Sequence, residues 1–451
     1  MTPWRIAVAI VLTATLNTFA QSQFQRGMIW EDNRYNVLPV RYGAASAFPS
    51  SRSLRMFYPK VVIQPKTDFT DVAWAAAWNA RTAAEAIACN QTDPIKIIDS
   101  AFAPAYNYAI VRKQPDCYAP VSLIDMLESM VRNGTPYFSE FREFCAPEIP
   151  VEAVPLANSK KLSGFYKLFN TSDAMNIKVQ SVKSAIVSNN AVVVGMICPP
   201  SFQMAQDFWT PRESKPDQQY GGHALCVVGY DDTKFGGAFE VINTWGKTWG
   251  REGFTWIRYK DFADYAQYGF GLFQVGSSAC NVKFEGSAIF KLLSGEEMHA
   301  EVDGAQGQYR FTNTYPSGTT FTIEMSSTTA GYVYSFGVEP GGSLFPLFPR
   351  LATTLPITFT PLRAPDDMPA ITLTDPPGKN SVYFVFSPFE IDIAKTLGKL
   401  KGRRVITPTD VQTAIGSMPS EPVQWDEAAL KFSGNLTGPV VMQVVLEQTR
   451  K

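Results

Sequence analysis

The stretch from Tyr220 to Tyr259 restricts what this chain can fold into more than any other. It reads GGHALCVVGYDD and then, after a short gap, GGAFEVINTWGKTWGREGFTWIRY. Both runs are apolar or alternating and are bounded by Gly, Asp and Asn, the pattern of β-strands. The chain has only 2 histidines, and His223 opens a strand directly after Gly221 and Gly222. Asn243 closes another strand 20 residues later, with Trp245 just beyond it. A histidine beside a carboxamide is what a thiol hydrolase needs: the imidazole moves a proton and the amide fixes its orientation and tautomer. The indole of Trp245 is placed to shield that bond from water.

The texture upstream is different. Asp71 to Ala88 (DVAWAAAWNARTAAEAIA) is alanine-rich and almost free of β-branched residues, which predicts a strong helix. Its small side chains suit a central helix packed on several sides. Further helices are predicted around Val121 to Arg132, ending at Asn133-Gly134, and around Asp173 to Asn189. Strands follow at Ala191 to Met196, Ala224 to Tyr230, Ala238 to Asn243 and Gly253 to Tyr259. Helices first and strands second is an α+β arrangement in two halves. From about Asn281 the pattern is strands and turns, read as a β-sandwich ending near residue 395. A linker (LGKLKGRRVITPTD) and a returning last strand, Pro439 to Glu447, complete it.

The His and Asn stretch resembles the corresponding motifs of the papain family of cysteine peptidases. A helix opening Trp-Ala-Ala-Ala-Trp, about 150 residues before the histidine, sits where that family carries its nucleophile. The resemblance covers roughly residues 50 to 275 and is nearest to the bacterial branch, whose helix reads Cys-Val-Gly-Trp-Ala followed by Ala-Arg-Thr. Here Asp71-Val72-Ala73-Trp74-Ala75 leads to Ala80-Arg81-Thr82. Aligned on Trp74 and Arg81, the nucleophile position holds Asp71; aligned on the more familiar Cys-Trp-Ala form, it holds Ala73. Neither is a thiol. The expected oxyanion glutamine is displaced, Pro65 standing in its place with Gln64 adjacent, and the glycines between are replaced by Lys66 to Phe69. The resemblance implies a two-lobed domain (a helical lobe and a β-barrel-like lobe) at 51–278, with His223 and Asn243 as a retained dyad. Asp71 stands in the nucleophile position, Gln64 is the candidate oxyanion residue, and Trp245, Trp74, Gly221 and Gly222 are candidate groove residues. The β-rich region 279–451 more weakly resembles the DUF4384 type of accessory domain.

Composition narrows the partners. Apolar residues make up 45% and charged residues 18%, with a formal net charge of −1 and no long basic run, so nothing asks for nucleic acid. No metal site is expected, because one histidine and one carboxylate do not make a ligand set, and no cofactor is implied. Arg5, the apolar Ile6 to Leu16 and Thr18-Phe19-Ala20 read as an export signal cleaved after Ala20. Residues 21–50 then read as a loop-like linker, and the protein as secreted or periplasmic, without a membrane span. Of the 6 cysteines, Cys117 and Cys145 are the preferred disulfide, while Cys198 and Cys226 are as readily buried free thiols. Neither Cys89, far along the helix, nor Cys226 is placed to replace the missing nucleophile.

Three functions fit these residues. The first is a peptidase homologue without peptidase activity that keeps the groove as a peptide- or protein-binding or scaffolding module. The second is a hydrolase using a non-standard Asp71/His223 site. The third is a purely structural module. An open groove at His223 favours the first of these over the third; a groove plugged by Phe69 or Trp78 favours the third.

Overall fold

The helical run that begins at Asp71 lies at the centre of the N-terminal half. In the computed structural model it starts as an α-turn, Asp71–Ala73, continues as a π-helical stretch, Trp74–Arg81, and ends as an α-helix, Thr82–Ala88. Ala73, Ala75, Ala76, Ala77, Ala80 and Ala83 are fully buried, so the alanines do let neighbouring elements approach from several sides. Wider π-helical turns are frequent where a helix carries a functional site. Arg81 is buried within this run and is neutralised by Glu85 at 2.7 Å, with its guanidinium 3.9 Å from the centroid of Phe102. The residues described are 26–41, 48–61, 70–275, 280, 283–304, 306–328, 330–350, 362–403, 405–416, 422–436 and 438–450.

Against the helix lies a sheet of strands Gly164–Lys167, Ala266–Phe273, Ala191–Ile197, Gly222–Asp231, Ala238–Ile242, Phe254–Arg258 and Phe208–Trp209, in that order. All neighbours are antiparallel except the last pair. Helices Leu123–Asn133 and Met175–Val187 are the longest others in this half, beside the shorter Pro94–Asp99, Pro104–Val111, Ala153–Asn158 and Tyr259–Tyr265. Ser122 caps Leu123–Asn133 through Ile124 N–H at 3.1 Å.

The C-terminal half is a sandwich of two sheets. One orders Leu362–Ala364, Thr320–Ser327, Phe284–Leu292, Lys431–Gly434 and Gln424–Trp425; the other orders Ala300–Val302, Gln308–Phe311, Val440–Thr449, Gly378–Ser387, Tyr332–Val338 and Leu344–Phe348. Strict alternation of burial along Thr320–Ser327 marks a strand with one face in the core. Val440–Thr449 returns as a central strand between Gln308–Phe311 and Gly378–Ser387.

The structure departs from the sequence reading in two places. The presumed linker after residue 395 folds into helices Ile393–Leu400 and Pro408–Ile415, the second with a full Thr407/Asp410 capping box. They cover the outer face of the second sheet, which explains why Tyr332–Val338 is buried on both sides. Residues 26–41, read as part of a linker, instead form a strand and a helix, Met28–Ile29 and Asp32–Val37, packed into the N-terminal half. Cys117 pairs with Cys145, and Cys89 with Cys280, which ties the end of the central helix to the entry of the sandwich.

Buried phenols give this fold a sharp alkaline limit. The Tyr35 hydroxyl donates to Phe169 O at 2.6 Å and accepts Gly269 N–H at 3.0 Å. Burial pushes Tyr35, Tyr58 and Tyr166 well above the ordinary phenol value of 10, with hydrogen bonds opposing only in part. A raised folded value means that stability is intact below pH 10 and falls as the unfolded chain begins to ionise above it. Alkaline titration should therefore show tyrosinate absorbance from these groups rising together with loss of near-ultraviolet circular dichroism. Ionisation well before unfolding would contradict it.

Candidate functional site

Local backbone geometry brings the predicted polar residues together. Gly221, at φ 79°, turns the chain into the strand Gly222–Asp231, so His223 enters as its second residue, opposite Met196. Asn243 follows Ala238–Ile242, its N–H held by Gly253 O at 3.0 Å. Asp71 is the first residue of the central helical run, where a carboxylate complements the free N–H groups and the helix dipole. His223 Nδ1 lies 2.9 Å from Asp71 Oδ2, and Nε2 lies 2.7 Å from Asn243 Oδ1. The Trp245 ring is 4.5 Å from the imidazole, centroid to centroid. Asp71, His223 and Trp245 are 0% exposed and Asn243 1%.

The hydrogen-bond pattern occupies both sides of the imidazole. Asn243 Oδ1 also accepts Thr244 N–H at 2.7 Å, which identifies that atom as the oxygen. Asp71 accepts Gly27 N–H at 2.8 Å on Oδ1 and Ala224 N–H at 3.3 Å on Oδ2. Nε2–H therefore donates to Asn243 Oδ1 and Nδ1 shares a hydrogen with Asp71 Oδ2, so both imidazole nitrogens are engaged by oxygens. Such a pair has no free base with which to activate water. Nor does its carboxylate have room to approach a carbonyl carbon to the 3–3.5 Å or so of a near-attack geometry.

The groove above this pair is occupied by the chain's own N-terminal segment. Met28–Ile29 pairs in parallel with Val121–Ser122 of the helical side, and Met28 pairs antiparallel with Gly222 of the sheet side. Arg26 Nη1 donates to Cys198 O at 2.5 Å. Two glycines form the seat: a Cβ on Gly195 would lie 2.6 Å from Met28 Cε, and one on Gly222 would lie 2.9 Å from the Trp30 ring. Beyond the groove Glu31 bonds Ser122, and Arg34 spans Glu31, Asp125 and Glu128 at 2.9, 2.6 and 3.1 Å. The plug is therefore Gly27 to Trp30.

Of the remaining predicted residues, Gly221 and Gly222 border the segment. Trp74 is 1% exposed and packs beside Trp78 and Phe144 at 5.6 and 5.8 Å, one turn along from Asp71. Gln64 and Phe69 lie outside the described residues. No thiol takes the vacant role. Cys89 is disulfide-bonded, and Cys226 donates to Ala75 O at 3.2 Å with its thiol pushed well up by burial. Burial likewise raises the Cys198 thiol, against the opposing Arg26 guanidinium. Among the described residues no three His, Cys, Asp or Glu side chains group as metal ligands, and no helix is long and apolar enough to cross a membrane. Sequence reasoning missed Gly27, Met28 and Trp30. The only trace is the short apolar run Met28-Ile29-Trp30, too brief to register as an element.

Residues 135–269 match the family model of the papain family cysteine proteases. The match takes in the strands carrying His223 and Asn243 and leaves out the helix carrying Asp71. An uncharacterized peptidase C1-like protein of Acanthamoeba polyphaga mimivirus is 32% identical over 120 residues, which is 26% of this chain and 38% of that protein. Among solved structures, xylellain, a cysteine protease from Xylella fastidiosa, is 18% identical, covering 55% of this chain and 95% of that one with a TM-score of 0.42. A digestive procathepsin L2 proteinase from Tenebrio molitor larval midgut is also 18% identical, covering 56% and 79%, with a TM-score of 0.44. Papain-like neighbours thus cover about half of the chain, and the sandwich sheets make up much of the rest.

Proposed function

We propose that this chain is an exported papain-like protein without peptidase activity, whose groove is closed by its own N-terminal segment and which serves as a scaffolding or structural module. The observation that carries this reading is the imidazole of His223, bonded at both nitrogens, to Asp71 at 2.9 Å and to Asn243 at 2.7 Å. In an active thiol peptidase one of those positions belongs to the nucleophile. Here the carboxyl group of Asp71, at the helix N-terminus, takes the place that a thiol would have beside the imidazole. The hydrogen-bonded contact between the central helix and the sheet is kept, while the thiol that would attack a peptide is absent.

A peptide or protein ligand for such a molecule must either displace residues 26–30 from the groove or bind elsewhere. The test is hydrolysis of a broad peptide mixture by the purified protein under reducing conditions, beside its His223→Ala variant. Identical, buffer-level rates are expected from both. Cleavage by the parent that His223→Ala abolishes would overturn the reading and make Asp71 a catalytic residue.

A further inference from the structure

We propose that the cavity between the papain-like half and the β-sandwich is a binding site for a free α-amino acid with an aromatic or large apolar side chain. The cavity measures about 280 Å³ and is formed by three separate parts of the chain: Leu38, Pro39 and Arg41; the strand Gly164–Lys167 with Phe273 beside it; and Tyr332 with Glu390 from the sandwich side. Its volume is just under the roughly 300–1,000 Å³ of small-ligand pockets, which suits one small molecule and not an extended chain.

The walls are aromatic. Phe273 and Tyr332 meet edge to face at 5.6 Å, and the Phe273 ring lies so close over Gly164 that a Cβ there would sit 2.4 Å from it. Phe165 adds a third ring. An apolar side chain laid against these rings gains by losing contact with water and by ring-to-ring packing.

The polar groups are of both signs. Arg41 and Glu390 line the same cavity, and both act on the Tyr332 hydroxyl, which burial chiefly raises, Glu390 raising it further and Arg41 opposing. A guanidinium takes a carboxylate in a charge-assisted contact, and a carboxylate takes an ammonium. Lys167 lines the cavity too, with its ammonium donating to Tyr35 O and Leu38 O at 2.8 and 3.2 Å; Arg41 and Glu390 beside the aromatic walls complement a zwitterion, not a simple anion or cation.

Backbone groups add to this. Leu168 N–H is bonded to Gly269 O, and Lys167 O accepts Arg41 N–H on the opposite edge, each at 2.9 Å. Alternation then turns the Phe165 N–H and C=O to the same outer edge as those of Lys167. Among the described residues neither group is hydrogen-bonded there, so a donor and an acceptor are available to the ligand.

The test is isothermal titration of the full chain with L-phenylalanine, N-acetyl-L-phenylalanine, L-phenylalaninamide and glycyl-phenylalanine, repeated on Glu390→Gln and Arg41→Met. Saturable binding of L-phenylalanine is expected. Acetylation or amidation should each weaken it roughly tenfold, as loss of one charged hydrogen bond implies. Glu390→Gln should weaken L-phenylalanine but leave the acetylated ligand unchanged, and Arg41→Met should spare the amide in the same way. The Arg41 substitution keeps the backbone bond to Lys167, and an unchanged melting temperature checks both variants for folding. No heat with L-phenylalanine, or equal affinity for all four ligands, would overturn the proposal. Tighter binding of the dipeptide would replace the free amino acid by a peptide end.

Discussion

Asp71→Cys in the full chain is expected to remain almost inert to a thiol-directed epoxide or to iodoacetamide, and to become reactive only when residues 26–30 are displaced. The new thiol would sit in place of a side chain that is 0% exposed, beneath Gly27. A reagent can reach it only when that segment lifts. Opening of a short segment held by strand pairing, by Arg26 and by the Arg34 cluster falls in the middle of the range of local unfolding energies. About 3 kcal/mol corresponds to protection on the order of 10²-fold. Met28→Asp added to Asp71→Cys places a charge against Gly195 and Gly222 and should expel the segment, raising the alkylation rate by on the order of 10²-fold. Circular dichroism like that of the parent would show that the fold is retained. Fast reaction of Asp71→Cys alone would mean that the segment does not close the groove. A folded double variant that stays inert would mean that more than residues 26–30 fills it, or that His223 no longer activates a thiol placed there. Peptide cleavage by the double variant is a stricter demand, because the loop expected to supply oxyanion donors has Pro65 where a glutamine is needed.

How much of this was legible in the sequence depended on whether a residue's role was local. His223 and Asn243 could be paired because each stands at a strand end, and adjacent antiparallel strands bring such ends together. Asp71 could be placed because Trp74 and Arg81 fix the register of its helix. The central helix could be read because alanine composition speaks for itself. The plug could not. Its contribution comes from two-residue pairing to elements far along the chain, Val121 and Gly222, and from a backbone N–H, which every residue but proline has. The expectation that Phe69 or Trp78 would decide whether the groove is open looked only at side chains near Asp71. Trp78 instead donates to Lys60 O at 3.2 Å and packs on Phe138. The helices at Ile393–Leu400 and Pro408–Ile415 were a different failure. Thr407, Pro408 and Asp410 spell a capping box, and Asp392 caps the other helix through Lys395 N–H at 2.9 Å, but glycines and basic residues between them suggested a linker.

The Asp71–His223 pair should be worth more to stability than any surface contact in the molecule. Both side chains are 0% exposed and hydrogen-bonded to each other at 2.9 Å, so removing one leaves the other a buried polar group without its partner, at a cost of about 1–3 kcal/mol. Asp71→Ala also orphans the N–H groups of Gly27 and Ala224, and His223→Ala orphans one lone pair of Asn243 Oδ1 and empties the space under Trp245. Either variant is therefore expected to lower the urea midpoint of the papain-like half strongly, followed by fluorescence of the tryptophans packed around Trp245. Arg34→Ala is the control, since its guanidinium is 40% exposed in each of its ion pairs and such contacts contribute only about 0–1 kcal/mol apiece. The decisive arm is the Asp71→Ala/His223→Ala double variant. If the residues act as one hydrogen-bonded pair, the double variant should cost clearly less than the sum of the singles, because it leaves no unpaired partner behind. Additive losses would mean that Asp71 is held by the helix and the Gly27 N–H alone, with His223 an independent neighbour. A loss under about 1 kcal/mol for Asp71→Ala would remove the stabilising role from the pair, and the retention of a carboxylate at the nucleophile position would then need a chemical explanation.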